Sequence, residues 1–143
     1  MLSRLMAISL GRHLALFSLL VAPLTLRAEV VNISSTELKS LADQGVPLID
    51  VRLAEEWIET GVVPGSLKMT FFDEKGGYDA KAWFGELNQV AGRDEPVILI
   101  CHTGVRSKVI ANWLSGGMGY ARVYNVTRGI DDWTRRGLPV VRD

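Results

Sequence analysis

Residues 96–107 read Pro96-Val97-Ile98-Leu99-Ile100-Cys101-His102-Thr103-Gly104-Val105-Arg106-Ser107. An unbroken apolar run passes into a short polar loop, and a helical pattern opens at Ser107. A strand with no polar alternation is apolar on both faces, the mark of a parallel sheet covered on both sides. The same strand–turn–helix order recurs outward from this segment. Toward the N-terminus, Glu29 to Ile33 reads as a strand. A helix capped by Ser34 or Ser35 runs to Asp43 with Leu38 and Leu41 inward. Val46 to Val51 is a buried strand, Leu53 to Thr60 a helix stopped by Gly61, and Ser66 to Phe71 another strand. Asp79 caps a helix through Val90, with Trp83, Phe84 and Leu87 inward. Toward the C-terminus, Val109, Ile110, Trp113 and Leu114 share a helix face, ended by Gly116 and Gly117. A strand follows from Arg122 to Val126, and then a helix carrying Ile130 and Trp133 up to Gly137. The four tryptophans, Trp57, Trp83, Trp113 and Trp133, sit at core spacing in separate helices, so they read as packing groups rather than a stacking set. The fold class is α/β, a mostly parallel sheet with helices on both faces.

The 143 residues suit one domain preceded by a leader. Arg4 and Arg12 precede the apolar run from Leu14 to Ala22, which extends past Pro23 to Leu26, and no acidic residue occurs before Glu29. This is the layout of a secretory signal peptide over residues 1–28, with Ala28 as the last residue before cleavage. The alternative is a membrane anchor, but the run is shorter than the ~20 apolar residues of a spanning helix. The expected domain, residues 29–143, is mildly acidic with scattered charges. No basic stripe points to nucleic acid or an anionic membrane surface. Asn32-Ile33-Ser34 and Asn125-Val126-Thr127 are formal glycosylation sequons, relevant only on a eukaryotic secretory route.

The chain holds one cysteine. Exported proteins pair their cysteines as disulfides, and an odd one is either intermolecular or reactive. Cys101 lies where a parallel strand ends and a helix begins, the position at which such sheets bind ligands. Unpaired N–H groups and the helix dipole there favour a thiolate, which makes Cys101 a candidate nucleophile. Gly104 supplies the left-handed turn of an anion-binding nest, and Arg106 adds a permanent positive charge. His102 is adjacent to Cys101, so its side chain diverges and it is badly placed as a base. It reads as an exposed rim residue. One cysteine and one histidine make no structural zinc site, and no second thiol supports dithiol redox chemistry. Cysteine phosphatases and arsenate reductases also cradle a thiolate at a helix start, but with five residues between cysteine and arginine. Here four residues separate Cys101 from Arg106, with Ser107 in the phosphatase arginine position. A narrower cradle suits one extra sulfur atom better than a tetrahedral phosphate.

The segment from Cys101 to Ser107 resembles the active-site loop of rhodanese-type sulfurtransferases. Leu48-Ile49-Asp50-Val51-Arg52, then Glu56-Trp57 through Gly61-Val62-Val63-Pro64-Gly65-Ser66, and finally Gly129, Trp133, Gly137 and Pro139 resemble further family segments in the expected order. Val62 stands where the family often has histidine. The resemblance is to small, single-domain, exported members. It implies an about five-stranded rhodanese-like sheet and sulfur transfer from a thiosulfate-like donor to a thiophilic acceptor through a persulfide on Cys101. It implies no metal or other cofactor, while the leader alone carries the expectation of a periplasmic or secreted location. His102, Thr103, Gly104, Val105 and Arg106 form the expected substrate-binding loop. Asp50, Arg52 and Ser107 are expected as loop supports, Asp50 by accepting loop amides and Arg52 by pairing with Glu55 or Glu56. Two alternatives stay open: a non-enzymatic binding or persulfide-carrying module, and a phosphatase or arsenate reductase.

Overall fold

The structure is a computed structural model that describes residues 28–142. The expected leader, Ala28 aside, lies outside the described residues. Five parallel strands form one sheet in the order β1-β5-β4-β2-β3. They are β1 Glu29–Ile33, β2 Leu48–Asp50, β3 Leu67–Lys68, β4 Val97–Ile100 and β5 Arg122–Val126. The helices are α1 Ser35–Asp43, α2 Ala54–Thr60, α3 Ala80–Val90, α4 Val105–Gly117 and α5 Gly129–Arg135.

β4 is central, and all four of its residues are buried. Alternate side chains of a strand face opposite ways. Val97, Leu99 and Cys101 therefore join one core with Trp83 and Leu87 of α3 and Ile110, Ala111 and Leu114 of α4. Ile98 and Ile100 join the other core with Leu38 of α1 and Ile130 and Trp133 of α5. Local sequence chemistry sets the helix starts. Ser34 and Glu37 form a reciprocal capping box on α1, and the Asp79 side chain accepts from the Ala82 N–H on α3.

Four expectations differ in detail. β3 is only two residues long, although Met69 and Phe71 still donate to the Asp50 and Val51 carbonyls. α4 begins at Val105 rather than Ser107, because Gly104 at φ 90° turns the chain into the helix earlier. That start aims Ser107, Ile110, Ala111 and Leu114 inward and leaves Val109 55% exposed. Trp57 belongs to neither core; it sits half-buried on α2 with the Lys68 ammonium 5.8 Å above its ring. No described helix is long and apolar enough to cross a membrane.

Candidate functional site

Cys101 leaves the C-terminal end of β4, and its residue is 1% exposed. The loop then folds back over the sulfur. The Gly104 N–H donates to Cys101 Sγ at 3.1 Å, and Ser107 Oγ lies 3.3 Å from the same sulfur. Gly104 can do this because of its left-handed backbone and because a Cβ there would meet the Thr127 carbonyl oxygen at 2.1 Å. The sulfur thus lies at the head of α4, whose first-turn N–H groups have no intrahelical acceptors.

The turn after β5 holds the loop from beneath. The Ile130 N–H donates to the Cys101 carbonyl at 2.9 Å, and the Asp131 N–H donates to the His102 carbonyl at 3.1 Å. This close approach requires Gly129: at φ 55° it has no Cβ, and one would lie 2.3 Å from both carbonyl oxygens. The first amides of α5 therefore fix the backbone of the candidate nucleophile.

The expected loop residues divide into two groups. His102, Thr103 and Val105 are exposed at the rim, while Gly104 and Ser107 are buried against the sulfur. Arg106 is committed elsewhere. Its two terminal nitrogens donate to the two Glu56 carboxylate oxygens at 2.8 and 2.6 Å, a bidentate ion pair. That pair holds Glu56 below the usual carboxylate range, mainly through the Arg106 hydrogen bonds and less through the Leu53 N–H. It also raises Arg106, with Glu56 as the leading cause and the Cys101 and Asp50 charges as smaller ones. The positive charge expected at the loop end is therefore present but already paired.

Among the described residues, the Asp50 and Arg52 side chains make no hydrogen bond to the Cys101 loop. They pair with each other, both fully buried, with Arg52 Nη2 2.7 Å from Asp50 Oδ2 and Arg52 Nε 2.9 Å from Asp50 Oδ1. Arg52 pairs with neither the Glu55 nor the Glu56 carboxylate. It donates instead to the Gly61 carbonyl at 3.0 Å, the Thr60 hydroxyl at 2.8 Å and the Glu56 carbonyl at 3.4 Å. This fastens α2 to the end of β2 and so places the Glu56 side chain that holds Arg106. The support is indirect, carried by α2.

Sequence reasoning offered Glu56 only as a partner for Arg52, Gly129 only as part of a family-like segment and Asn125 only as a sequon, and linked none of them to the Cys101 loop. Asn125 is 1% exposed, and its Oδ1 lies 2.7 Å from Ser107 Oγ while its Nδ2 donates to Asn32 Oδ1 at 2.9 Å. A lone amide within the apolar strand Val-Tyr-Asn-Val was the available signal. Its burial also withdraws the second sequon, since a folded chain presents no acceptor nitrogen there.

The family described as Rhodanese-like domain matches residues 34–136. The chain belongs to the rhodanese-like domain family. Among curated relatives, "Thiosulfate sulfurtransferase GlpE" of Actinobacillus pleuropneumoniae serotype 3 is 42% identical over 57 residues, covering 40% of this chain and 52% of that protein. The chain thus spans about half the length of the curated relatives of this group. A "Thiosulfate sulfurtransferase GlpE" of Haemophilus influenzae is 27% identical over 101 residues, 70% of this chain and 84% of the relative. The rhodanese-like fold is also shared with a solved polysulfide-sulfur transferase homodimer from Wolinella succinogenes, at TM-score 0.61 and 24% identity over 82% of each chain. In this rhodanese-like domain, Cys101 follows the carboxyl end of the central strand, the end at which open α/β sheets take their ligands.

Proposed function

We propose that this rhodanese-like domain is a sulfurtransferase that carries sulfane sulfur on Cys101, with a thiosulfate-like donor and a thiophilic acceptor. The Cys101 thiolate attacks the outer sulfur of thiosulfate. A sulfur–sulfur bond to Cys101 forms, the donor's own sulfur–sulfur bond breaks, and sulfite leaves with that electron pair. An acceptor such as cyanide then attacks the terminal sulfur of the persulfide and departs as thiocyanate, which regenerates the thiolate. Neither half-reaction needs a general base once the thiol is ionised.

The observation that carries this reading is the cradle around the sulfur: the Gly104 N–H and the Ser107 hydroxyl against Sγ, at the head of α4. Such donors favour negative charge on Cys101 and on a second sulfur attached to it. With four residues between Cys101 and Arg106 and the sulfur enclosed, the site suits a small donor over a phosphate ester. The relatives named thiosulfate sulfurtransferase support the same chemistry. We place the mature domain, residues 29–143, in the periplasm or outside the cell; the basic and apolar leader over residues 1–28 supports this.

Incubation with thiosulfate should add the mass of one sulfur atom to the protein, and cyanide should release it as thiocyanate. Cys101→Ser should abolish both. A normal sulfur adduct in Cys101→Ser, or Cys101-dependent hydrolysis of an aryl phosphate without any adduct, would sink the assignment. Mass spectrometry of the exported protein reads the cleavage site, expected after Ala28.

A further inference from the structure

We propose that Ser107, Asn125 and Asn32 form a two-state hydrogen-bond relay that sets how readily Cys101 ionises, with Asn125 as a positioning residue acting through Ser107. The proposal rests on the reading of Cys101 as the reacting sulfur and adds a control over its charge.

The geometry poses a counting problem. Ser107 is fully buried, and its hydroxyl carries one hydrogen. Two acceptors compete for it: Asn125 Oδ1 at 2.7 Å and Cys101 Sγ at 3.3 Å. When Cys101 is a thiol there is no conflict. Its S–H points to Ser107 Oγ, the Ser107 hydrogen goes to Asn125 Oδ1, and Asn125 Nδ2 donates to Asn32 Oδ1 at 2.9 Å. When the thiol gives its proton to solvent, the sulfur becomes an acceptor only and needs the Ser107 hydrogen. Asn125 Oδ1 is then left without a donor, in a residue that is 1% exposed. Buried polar groups without partners are costly.

Rotation of both amides removes the conflict. Turned over, Asn125 Nδ2 donates to Ser107 Oγ, and Asn32 Nδ2 donates to Asn125 Oδ1. Carboxamide oxygen and nitrogen have nearly the same shape, so the turn requires no repacking. No covalent bond changes. The outer residue makes this feasible: Asn32 is exposed on the edge strand β1, so water satisfies whichever end of its amide faces out. It borders a cavity of about 350 Å³ that Thr103, Lys108 and Asn112 also line. Strand register aligns the relay. Asn32 stands opposite Asn125, and Asn125 opposite Leu99, on the sheet face that carries Cys101.

The relay assigns opposite signs to its members, which a merely structural role does not. The test is iodoacetamide alkylation of the full chain across pH, where the label reports Cys101 alone because no other cysteine exists. Ser107→Ala removes the donor to the thiolate, so the alkylation midpoint should rise. The rate below the midpoint should fall roughly 2- to 10-fold, the span of one hydrogen bond's net worth. Asn125→Leu removes the competing acceptor, so the midpoint should fall and the rate rise by a similar factor. Asn32→Ala leaves water to meet the Asn125 amide in either orientation, so the amide turns without a second side chain having to turn with it, and the midpoint should fall, by less than in Asn125→Leu. Circular dichroism checks folding, and exposed Asn32 decides the matter if Asn125→Leu does not fold. An unchanged or raised midpoint in the asparagine variants overturns the relay. If the midpoints shift as expected while the wild type takes no sulfur from thiosulfate, the relay stands and the sulfurtransferase reading fails.

Discussion

Gly129→Ala tests whether the turn after β5 positions the Cys101 backbone. The substitution acts in two ways. Gly129 lies at φ 55°, and an added Cβ would sit 2.3 Å from the Cys101 and His102 carbonyl oxygens. Left-handed backbone costs an alanine about 1–2 kcal/mol. Relief of the overlap requires the loop and the head of α5 to part by about an ångström, since ordinary contact begins near 3.4 Å. That movement stretches the bonds from Ile130 and Asp131 to the same two carbonyls. Backbone strain, overpacking and two weakened hydrogen bonds together predict a loss of about 3–5 kcal/mol. A change of that size is a large fraction of the 5–15 kcal/mol typical of a domain, roughly. Urea unfolding followed by tryptophan fluorescence measures it as a fall in midpoint at unchanged slope. Gly85→Ala is the matched control. Gly85 lies inside α3 with nothing within 4 Å of its would-be Cβ, so it should stabilise by about 0.8–1 kcal/mol. A loss no larger than about 1–2 kcal/mol in Gly129→Ala, the cost of the left-handed backbone alone, would refute the reasoning that the Gly129 contact positions the Cys101 backbone.

Other substitutions probe the remaining supports. Asp50→Asn leaves Arg52 charged and fully buried without its carboxylate, so unfolding measurements should show a loss of about 3–5 kcal/mol, partly recovered in the double variant Asp50→Leu/Arg52→Met. Glu56→Gln should change the acid limb of stability. Glu56 in the fold lies below the ordinary glutamate value of 4.5, so its pairing stabilises fully above that pH and is lost as pH falls through the lower folded value. The pair is partly solvent-screened, so thermal melts should show the wild type losing on the order of 1 kcal/mol or less relative to Glu56→Gln as pH drops from about 5 to 3. Gly104→Ala would place a Cβ 2.1 Å from the Thr127 carbonyl oxygen; sulfur uptake from thiosulfate should fall at least tenfold, roughly the effect of losing one charge-assisted hydrogen bond, as mass spectrometry of the thiosulfate-treated protein would show.

The fold was legible because its signals are local and repeated. Val97 to Ile100 has no polar alternation, and Ser34, Asp79, Gly61 and Gly137 punctuate the chain at or next to the observed boundaries. The short β3 and the early start of α4 were less legible. The first depends on how far the chain stays in register with β2, which no local pattern marks, and the second on one left-handed glycine. Within the site, Cys101, Gly104 and Ser107 were readable from spacing, because a tight loop brings residues three and six positions apart onto one sulfur.

The charged residues were a different case. Arg106 looked like an anion clamp and Arg52 like a partner of α2 acids, because charge alone does not name its partner. Glu56 is 50 positions from Arg106, and only the packing of α2 beside the loop makes them a pair. Gly129 and Asn125 reach the Cys101 loop because β5 lies next to β4. The sequence by itself determined the alternation of elements, the position of Cys101 at the end of β4 and the length of its loop, since those follow from backbone periodicity and near-neighbour geometry. Tertiary structure decided which charges cancel, which carbonyls hold the loop and which amides stand behind Ser107. Those depend on contacts between distant segments, which strand order fixes and local residue pattern does not.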